Sequence, residues 1–322
     1  MAKYIIKRIL LAILILFGVS LILYILVRCM PMNYIESKFL TLKQTNGLSD
    51  EDYANLLALY GLDDDSFLGI LKGYWNWLSN FLQGDLGKSW KFTIPVTEVI
   101  GSKMGVSFAV AFVSLIIEML IAIPLGIKCA CNQYGKLDYI VTFLCMIGIS
   151  FPSFFLGNMF IKWFAVDLGW FDVLGGLGEG GLDTIWHLVL PITVMVIIDM
   201  GALMRYTRTN TLEVLNADYI RTARAKGLSN GKVIYKHVFR NTLIPLITTL
   251  SFTLPTLFGG AMISEQIFNL PGIGQAAYQA LSEGDINLIM GYNMFLALLT
   301  VLGTLLADIM YAVVDPRVKL GK

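Results

Sequence analysis

Long apolar stretches alternate with polar segments along the chain, and their length decides the fold class. A helix needs about 20 apolar residues to cross a bilayer. Six stretches reach that length and predict membrane-spanning helices at 9–30, 106–127, 139–164, 184–204, 242–263 and 288–314. The pattern therefore predicts an all-α polytopic membrane protein with six transmembrane helices.

The distribution of basic residues orients these helices, because cytoplasmic segments carry an excess of Lys and Arg. Residues 1–8 contain Lys3, Lys7 and Arg8 and no acid, which places the amino terminus in the cytoplasm. Six crossings return 315–322 to the same side, and most of the 24 Lys and Arg residues fall in predicted inside segments. We therefore expect a multi-pass protein of the inner membrane with both termini cytoplasmic.

The segment between the first two spans, 31–105, is long enough to form a small external domain. Near its middle, the sequence YWNWLSNFL places Trp75, Leu78 and Leu82 on one helical face. Two interpretations stay open. The helix lies on the membrane surface, where Trp and Tyr are favoured, or it packs against its own protein.

Composition excludes several function classes. Hydrophobic residues make up 56% of the 322 and charged residues only 15%, which a soluble enzyme could not accommodate on its surface. The net charge of +1 removes any case for nucleic acid as a partner and leaves membrane lipid. All four cysteines lie in or beside apolar stretches, so a disulfide-stapled domain is excluded.

Motif searches predict no catalytic residue, metal site or cofactor in this chain. The string Gly87-Lys88-Ser89 lacks the earlier glycine that a phosphate-binding loop requires, so we expect no ATP site. No HExxH or GxSxG string is present. A membrane enzyme would have to rely on scattered acids alone.

Three acids lie inside predicted spans, namely Glu118, Asp199 and Asp308. Ionisable groups in the bilayer are costly and commonly line a transport pathway. Glu118 lies in the predicted second span and Asp199 lies deep in the fourth, so both are candidate pathway residues. For Asp199, a structural hydrogen-bonding role remains an equal alternative.

The inside segment 205–241 is the longest and is too polar to enter lipid. A short helix is predicted at 217–226, with Asn216 able to cap its start and Gly227 at the place of a left-handed C-terminal residue. Ser229 is the predicted cap of a second helix that continues into the fifth span. A ten-residue helix is marginal in water, so we expect the first one to gain order by docking.

This segment resembles a known family. Residues 216–248, NADYIRTARAKGLSNGKVIYKHVFRNTLIPLIT, are similar to the EAA loop of ABC-importer permeases, in the variant of the dipeptide, oligopeptide and nickel permeases. The generic Glu-Ala-Ala is replaced by Arg221-Thr222-Ala223, as in the peptide subfamily. The strings WLSNFLQGDLGKSW, GGAMISEQIFNLPGIGQ and DPRVKLG also resemble this family, and the whole chain is most like its oligopeptide B-type subunit.

The resemblance implies the type I ABC importer permease fold over 106–315. It also implies a second homologous permease, two cytoplasmic ATPase subunits that use ATP and Mg, and an extracytoplasmic substrate-binding protein. The helix that couples the permease to the ATPases corresponds to Ala217, Asp218, Tyr219, Ile220, Arg221, Thr222, Ala223, Arg224, Ala225, Lys226 and Gly227. We expect its docked face to be small, so bulk at Ala223 or Gly227 should be least tolerated.

The cargo implied by the resemblance is a peptide, with nickel chelates or another small solute as alternatives. The binding protein would dock on two acidic and aromatic external surfaces, at 63–77 and 265–285. A self-contained secondary transporter is the alternative from a different class. Its case is weak, because the two halves of the chain do not mirror each other in loop length.

Overall fold

The computed structural model describes residues 2–30, 51, 55, 64 and 66–314. Most of the first part of the predicted external domain and the predicted cytoplasmic tail, 315–322, lie outside the described residues. Within the described part the elements are helical, apart from one antiparallel bridge between Lys88 and Pro95. This agrees with the predicted all-α class.

The first three helices are α1 (Ala2–Arg28), α2 (Phe67–Leu82) and α3 (Val96–Cys131). The start of α2 is capped by Ser66, whose hydroxyl accepts a 3.1 Å hydrogen bond from the Gly69 amide. Helix α3 starts well before the predicted boundary at residue 106. The added turns are helical because their apolar side chains are fully buried in the core of the external end.

The predicted third span is not one straight helix. It divides into α4 (Lys136–Ser150) and α5 (Ser153–Phe160), which continues as a π-helical segment, Ile161–Asp167. The two parts meet at an angle of 100°. Pro152 explains the break, since a residue before proline is forced out of the helical region and Phe151 is extended.

Helix α6 (Leu182–Leu215) has 34 residues and runs well past the predicted end at 204. At 1.5 Å per residue it is about 51 Å long, whereas the bilayer core is about 30 Å thick. Within its polar end, the hydroxyls of Thr207 and Thr211 are satisfied by carbonyls one turn earlier in the same helix. Part of the predicted inside loop is therefore an extension of a spanning helix.

The rest of that predicted loop is also helical. Helix α7 (Asp218–Ala225) is followed by a single turn, Asn230–Lys232, and by a π-helical segment, Val233–Val238. The segment leads without a break into α8 (Phe239–Gly259). Ser229 occupies the cap position as predicted, but its side chain makes no capping hydrogen bond.

Three helices complete the described chain: α9 (Met262–Ile267), α10 (Ile273–Glu283) and α11 (Ile286–Val314). Over the described ranges, four helices are long and apolar enough to cross a membrane, or five if α4 and α5 count as one bent span. Helix α8 lies in the predicted fifth span but is not among them. The count of six spans therefore stays a prediction.

Packing brings α3, α4, α6 and α8 together. Near the ends that are predicted to be cytoplasmic they share one buried apolar cluster, which includes Ala122, Cys145, Met204 and Leu246. At the opposite end, α1, α2, α3, α10 and α11 share a second cluster around Tyr74. Helix α6 thus joins the membrane core directly to α7.

Candidate functional site

The end of α7 has a complete Schellman motif. The amide of Leu228 donates to the carbonyl of Ala223 at 3.4 Å, and the amide of Gly227 donates to the carbonyl of Arg224 at 2.9 Å. Gly227 has the predicted left-handed backbone, with φ of +76°. The motif closes the helix sharply, as the sequence predicts.

The start of α7 differs from the prediction. Ala217, not Asn216, occupies the N-terminal cap position, and no side chain caps the helix. Asn216 instead ends α6, where its amide bonds to the Leu212 carbonyl. Because only two residues join the helices, the position of α7 depends closely on the end of α6.

The predicted coupling residues divide into two faces. Ile220 and Ala223 are 0% and 8% exposed and pack on Val233 and Val238 of the π-helical segment. The expectation that Ala223 belongs to a docked outer face is therefore wrong, since its methyl group contacts the same chain. The opposite face is exposed and carries Asp218, Tyr219, Arg221, Thr222, Arg224, Ala225, Lys226 and Gly227.

An ion pair ties α6 to α4 beside this helix. The Nε and Nη2 atoms of Arg208 each donate a 2.7 Å hydrogen bond to one oxygen of Asp138. The amide of Tyr134 donates a third bond, at 2.9 Å. Both residues lie outside the predicted spans 139–164 and 184–204, but within α4 and α6, whose apolar stretches are candidates to cross a membrane.

The two candidate pathway acids line one cavity. It has a volume of about 200 Å³ and lies between α3, α6 and α8, with Glu118 on α3 and Asp199 on α6. Its remaining polar side chains are hydroxyl groups, those of Ser114, Thr253 and Thr256. The sequence predicted each acid separately, and the structure brings them together.

The carboxylates of Glu118 and Asp199 are not equally covered. Glu118 is partly buried, whereas Asp199 is exposed at the surface of the chain. Across the described residues no ion pair or side-chain hydrogen bond joins Asp199 to another group of this chain. Pathway lining and structural hydrogen bonding therefore both stay predictions for Asp199.

At the external end, Glu265 is a buried anchor. It is 2% exposed, and its Oε1 accepts from the Ser107 hydroxyl at 2.6 Å and the Ala261 amide at 3.1 Å. Its Oε2 accepts from the Gln275 amide at 3.0 Å. The carboxylate thus fastens the glycine-rich external turn to α3.

Asp285 is a buried carboxylate that fastens the Gly87-Lys88-Ser89 turn to the start of α11. It is fully buried, and its Oδ2 accepts from the Ser89 hydroxyl at 2.5 Å and from the Lys91 amide at 3.1 Å. Its other oxygen accepts from the Leu288 amide and caps α11. The Ser89 hydroxyl is therefore used in a hydrogen bond within the chain. This agrees with the sequence prediction that the turn is not a phosphate-binding loop.

These contacts correct part of the predicted external docking surface at 265–285. Glu265 and Asp285 were expected to give it an acidic character, but both are buried and bonded within the chain. Tyr278 and Leu281 of α10 remain exposed there. In the other predicted surface, 63–77, Trp75 is exposed and Tyr74 is buried against α1.

Known protein sequences are similar to this chain over nearly its whole length. Residues 122–320 match the sequence model of the family described as binding-protein-dependent transport system inner membrane component. The oligopeptide transport system permease protein AppB of Bacillus subtilis is 39% identical over 325 residues, covering 99% of this chain and all of that protein. The dipeptide transport system permease protein DppB of Escherichia coli K12 is 31% identical over 344 residues, covering 99% of each.

Solved structures show the same fold. A chain of the MetNI methionine ABC transporter, in an inward-facing conformation, superposes with a TM-score of 0.53 at 20% identity. The match covers 68% of this chain and 97% of that one. A second crystal form of the same transporter gives a TM-score of 0.55 at 21% identity.

Proposed function

The chain belongs to the family of binding-protein-dependent transport system inner membrane components and is the permease component of an ABC importer for peptides; on that premise we propose that α7 is its contact with the partner ATPase subunits. Membership in this family replaces the self-contained secondary transporter left open by the sequence. It also makes this chain a permease and not an enzyme.

The observation that carries the proposal is the two-faced character of α7. Its inner face is fixed on the same chain by Ile220 and Ala223, while Arg221, Thr222 and Ala225 occupy the opposite, exposed face. Both ends of the helix are attached to long membrane helices, α6 before it and α8 after it. A force applied to the exposed face is therefore delivered to the membrane helices on both sides.

The cavity between α3, α6 and α8 is the proposed part of the peptide pathway that this chain contributes. Glu118 and Asp199 give it two carboxyl groups, and Asp199 is exposed at the surface of the chain. We propose that a second, homologous permease covers this face and completes the pathway. Intramembrane acids that line a polar cavity are typical of transport pathways.

The remaining components follow from the same proposal. Two cytoplasmic ATPases bind ATP and Mg, and an extracytoplasmic binding protein delivers the peptide to the external side. The chain crosses the inner membrane six times, with both termini in the cytoplasm and the segment 31–105 outside. On the external side, Tyr278 and Leu281 of α10 are the exposed side chains that we assign to the docked binding protein.

The test places a carboxylate on the exposed face of α7. Ala225→Glu in the assembled transporter should abolish co-purification of the ATPases and peptide uptake by proteoliposomes, without lowering the amount of permease in the membrane. Gln133→Glu is the matched control, because it adds the same charge to an exposed residue of another inside turn. Normal ATPase binding and uptake by the Ala225→Glu transporter would contradict the assignment of α7.

A further inference from the structure

We propose that the Asp138–Arg208 ion pair is a positioning element, which makes the inner ends of α3, α4 and α6 move as one body when α7 is displaced. The inference rests on the proposed contact between α7 and the ATPases. It concerns how that contact reaches the membrane helices.

The geometry of the pair restrains orientation as well as distance. Arg208 presents a planar fork, and each of its two bonds to Asp138 measures 2.7 Å. A bidentate contact of this kind fixes the relative direction of the two side chains, which a lysine cannot do. The Asp138 side chain is 5% exposed, so water competes weakly for these bonds.

The pair also holds the turn between α3 and α4. Tyr134 has a left-handed backbone, with φ of +62°, which few non-glycine residues adopt. Its amide bonds to the same Asp138 oxygen that accepts from Arg208 Nη2. One carboxylate therefore joins three structural parts, namely the α3–α4 turn, the first turn of α4 and the end of α6.

Close backbone contacts continue the same attachment into the membrane. A Cβ atom on Gly148 would lie 2.8 Å from the carbonyl of Ile197, and one on Gly201 would lie 2.8 Å from the carbonyl of Cys145. A Cβ on Gly126 of α3 would lie 2.8 Å from the carbonyl of Met204. Small residues that let helix backbones touch give close, stiff packing in membranes.

Of the α6 residues that make these contacts with α3 and α4, Arg208 is the one nearest to α7. Seven residues separate it from the end of the helix at Leu215, a length of about 10 Å, and α7 begins directly after Ala217. Without the pair, α6 could bend between Met204 and Leu215 and absorb the displacement of α7. With it, the displacement passes to α3 and α4.

The attachment on the other side of α7 is of a different kind. There α7 packs on the π-helical segment Val233–Val238, which leads into α8. π-helical turns are rare and are concentrated at functional sites. Helix α7 therefore lies between two different attachments. On one side, α6 is tied to α3 and α4 by the ion pair and by close backbone contacts. On the other side, the described contacts between α7 and the π-helical segment are apolar.

A buried ion pair is weak evidence for stability, because desolvation offsets much of the Coulomb attraction. What the pair does supply is a defined geometry. Its loss should therefore uncouple the transporter at a similar level of assembly. Each variant is therefore compared at an equal amount of assembled transporter, because Asp138→Asn leaves the Arg208 charge without its partner.

The experiment measures peptide uptake per ATP hydrolysed in proteoliposomes that contain the complete transporter and its binding protein. Asp138→Asn keeps an acceptor for the Tyr134 amide, and Arg208→Lys keeps the charge but not the fork. Each should lower uptake per ATP by about fivefold or more, the scale of a typical coupling energy. The amount of ATPase that co-purifies should stay unchanged.

A charge exchange supplies the decisive variant. Asp138→Arg combined with Arg208→Asp restores an ion pair between the same helices, so uptake per ATP should recover relative to either single change. Lys162→Gln is the matched control, since it breaks an exposed ion pair with Asp167 that joins no two helices.

Wild-type uptake per ATP in both single variants would overturn the proposal. It would also be overturned if the variants lowered only the amount of assembled transporter and left uptake per ATP unchanged. Failure of the broader assignment looks different. In that case Ala225→Glu leaves the ATPases bound, whatever the Asp138 and Arg208 variants do.

Discussion

Ser107 of α3 donates a 2.6 Å hydrogen bond to the carboxylate of Glu265, which lies 158 positions later in the chain. The same hydroxyl accepts a 2.9 Å bond from the Ile273 amide. Together with the amides of Ala261 and Gln275, this pair fixes the external turn between α8 and α10. The turn forms the external boundary of the cavity, since Gly260 and Ala261 line it.

Replacement of Glu265 should therefore destabilise the protein. Glu265→Ala leaves three buried donors without an acceptor, at about 1–3 kcal/mol for each unsatisfied group. Glu265→Gln retains one acceptor oxygen and should lower the thermal midpoint less. Glu283→Ala is the control, because its ion pair with Lys91 is partly exposed and such pairs contribute about 1 kcal/mol or less. Equal melting of wild type and Glu265→Ala in detergent would contradict this role.

The glycines of this turn are required for its packing. A Cβ on Gly274 would lie 2.8 Å from the Met262 amide nitrogen, closer than van der Waals contact permits. Gly274→Ala should therefore lower the yield and the thermal midpoint of the purified protein. Gly101→Ala should have little effect, since no atom lies within 4 Å of a Cβ there. The prediction fails if both variants melt alike.

The sequence predicted the local features well and the long-range ones poorly. Helix positions, the cap position of Ser229 and the left-handed Gly227 follow from spacing and turn chemistry, which are local. The bonds of Asp138, Glu265 and Asp285 join residues 70 or more positions apart, so no short pattern encodes them. Their burial was missed because an acid near a helix end resembles a solvated surface residue.

The sequence does contain one indication of the Asp138–Arg208 pair. Asp138 is among the few acids in predicted inside segments, and it stands at the first turn of a helix opposite an Arg-rich extension. The length of α6 was missed for another reason. Hydropathy marks where a helix leaves the bilayer and not where the helix ends.

The shared cavity predicts a functional effect of its acids. Asp199→Asn and Glu118→Gln each replace a carboxyl group of the proposed pathway by an amide with little change in size, so peptide uptake should fall several-fold at normal assembly. Glu98→Gln is the control, because Glu98 is exposed at the external start of α3. If Asp199→Asn reduced only the amount of assembled transporter, Asp199 would have a structural role. Normal uptake and assembly in both variants would remove the cavity from the pathway.

The native cysteines test the predicted orientation. Cys29 at the predicted external end of α1 and Cys131 at the predicted inner end of α3 are both exposed, whereas Cys129 and Cys145 are buried. An impermeant maleimide added to intact cells should label Cys29 and not Cys131. Cys131 should react once the membrane is permeabilised, and Cys29→Ser and Cys131→Ser identify each product. Labelling of Cys131 in intact cells would invert the topology.

Photo-crosslinking tests the proposed contact between α7 and the ATPases. A photoreactive amino acid incorporated at Ala225, on the exposed face, should form a covalent product with an ATPase subunit in membranes that contain the whole transporter. The control position is Tyr278, which is exposed on α10 at the external end. We expect a covalent product with an ATPase subunit from Ala225 and none from Tyr278. An assembled, active transporter that gives no ATPase product from Ala225 would contradict the proposed contact.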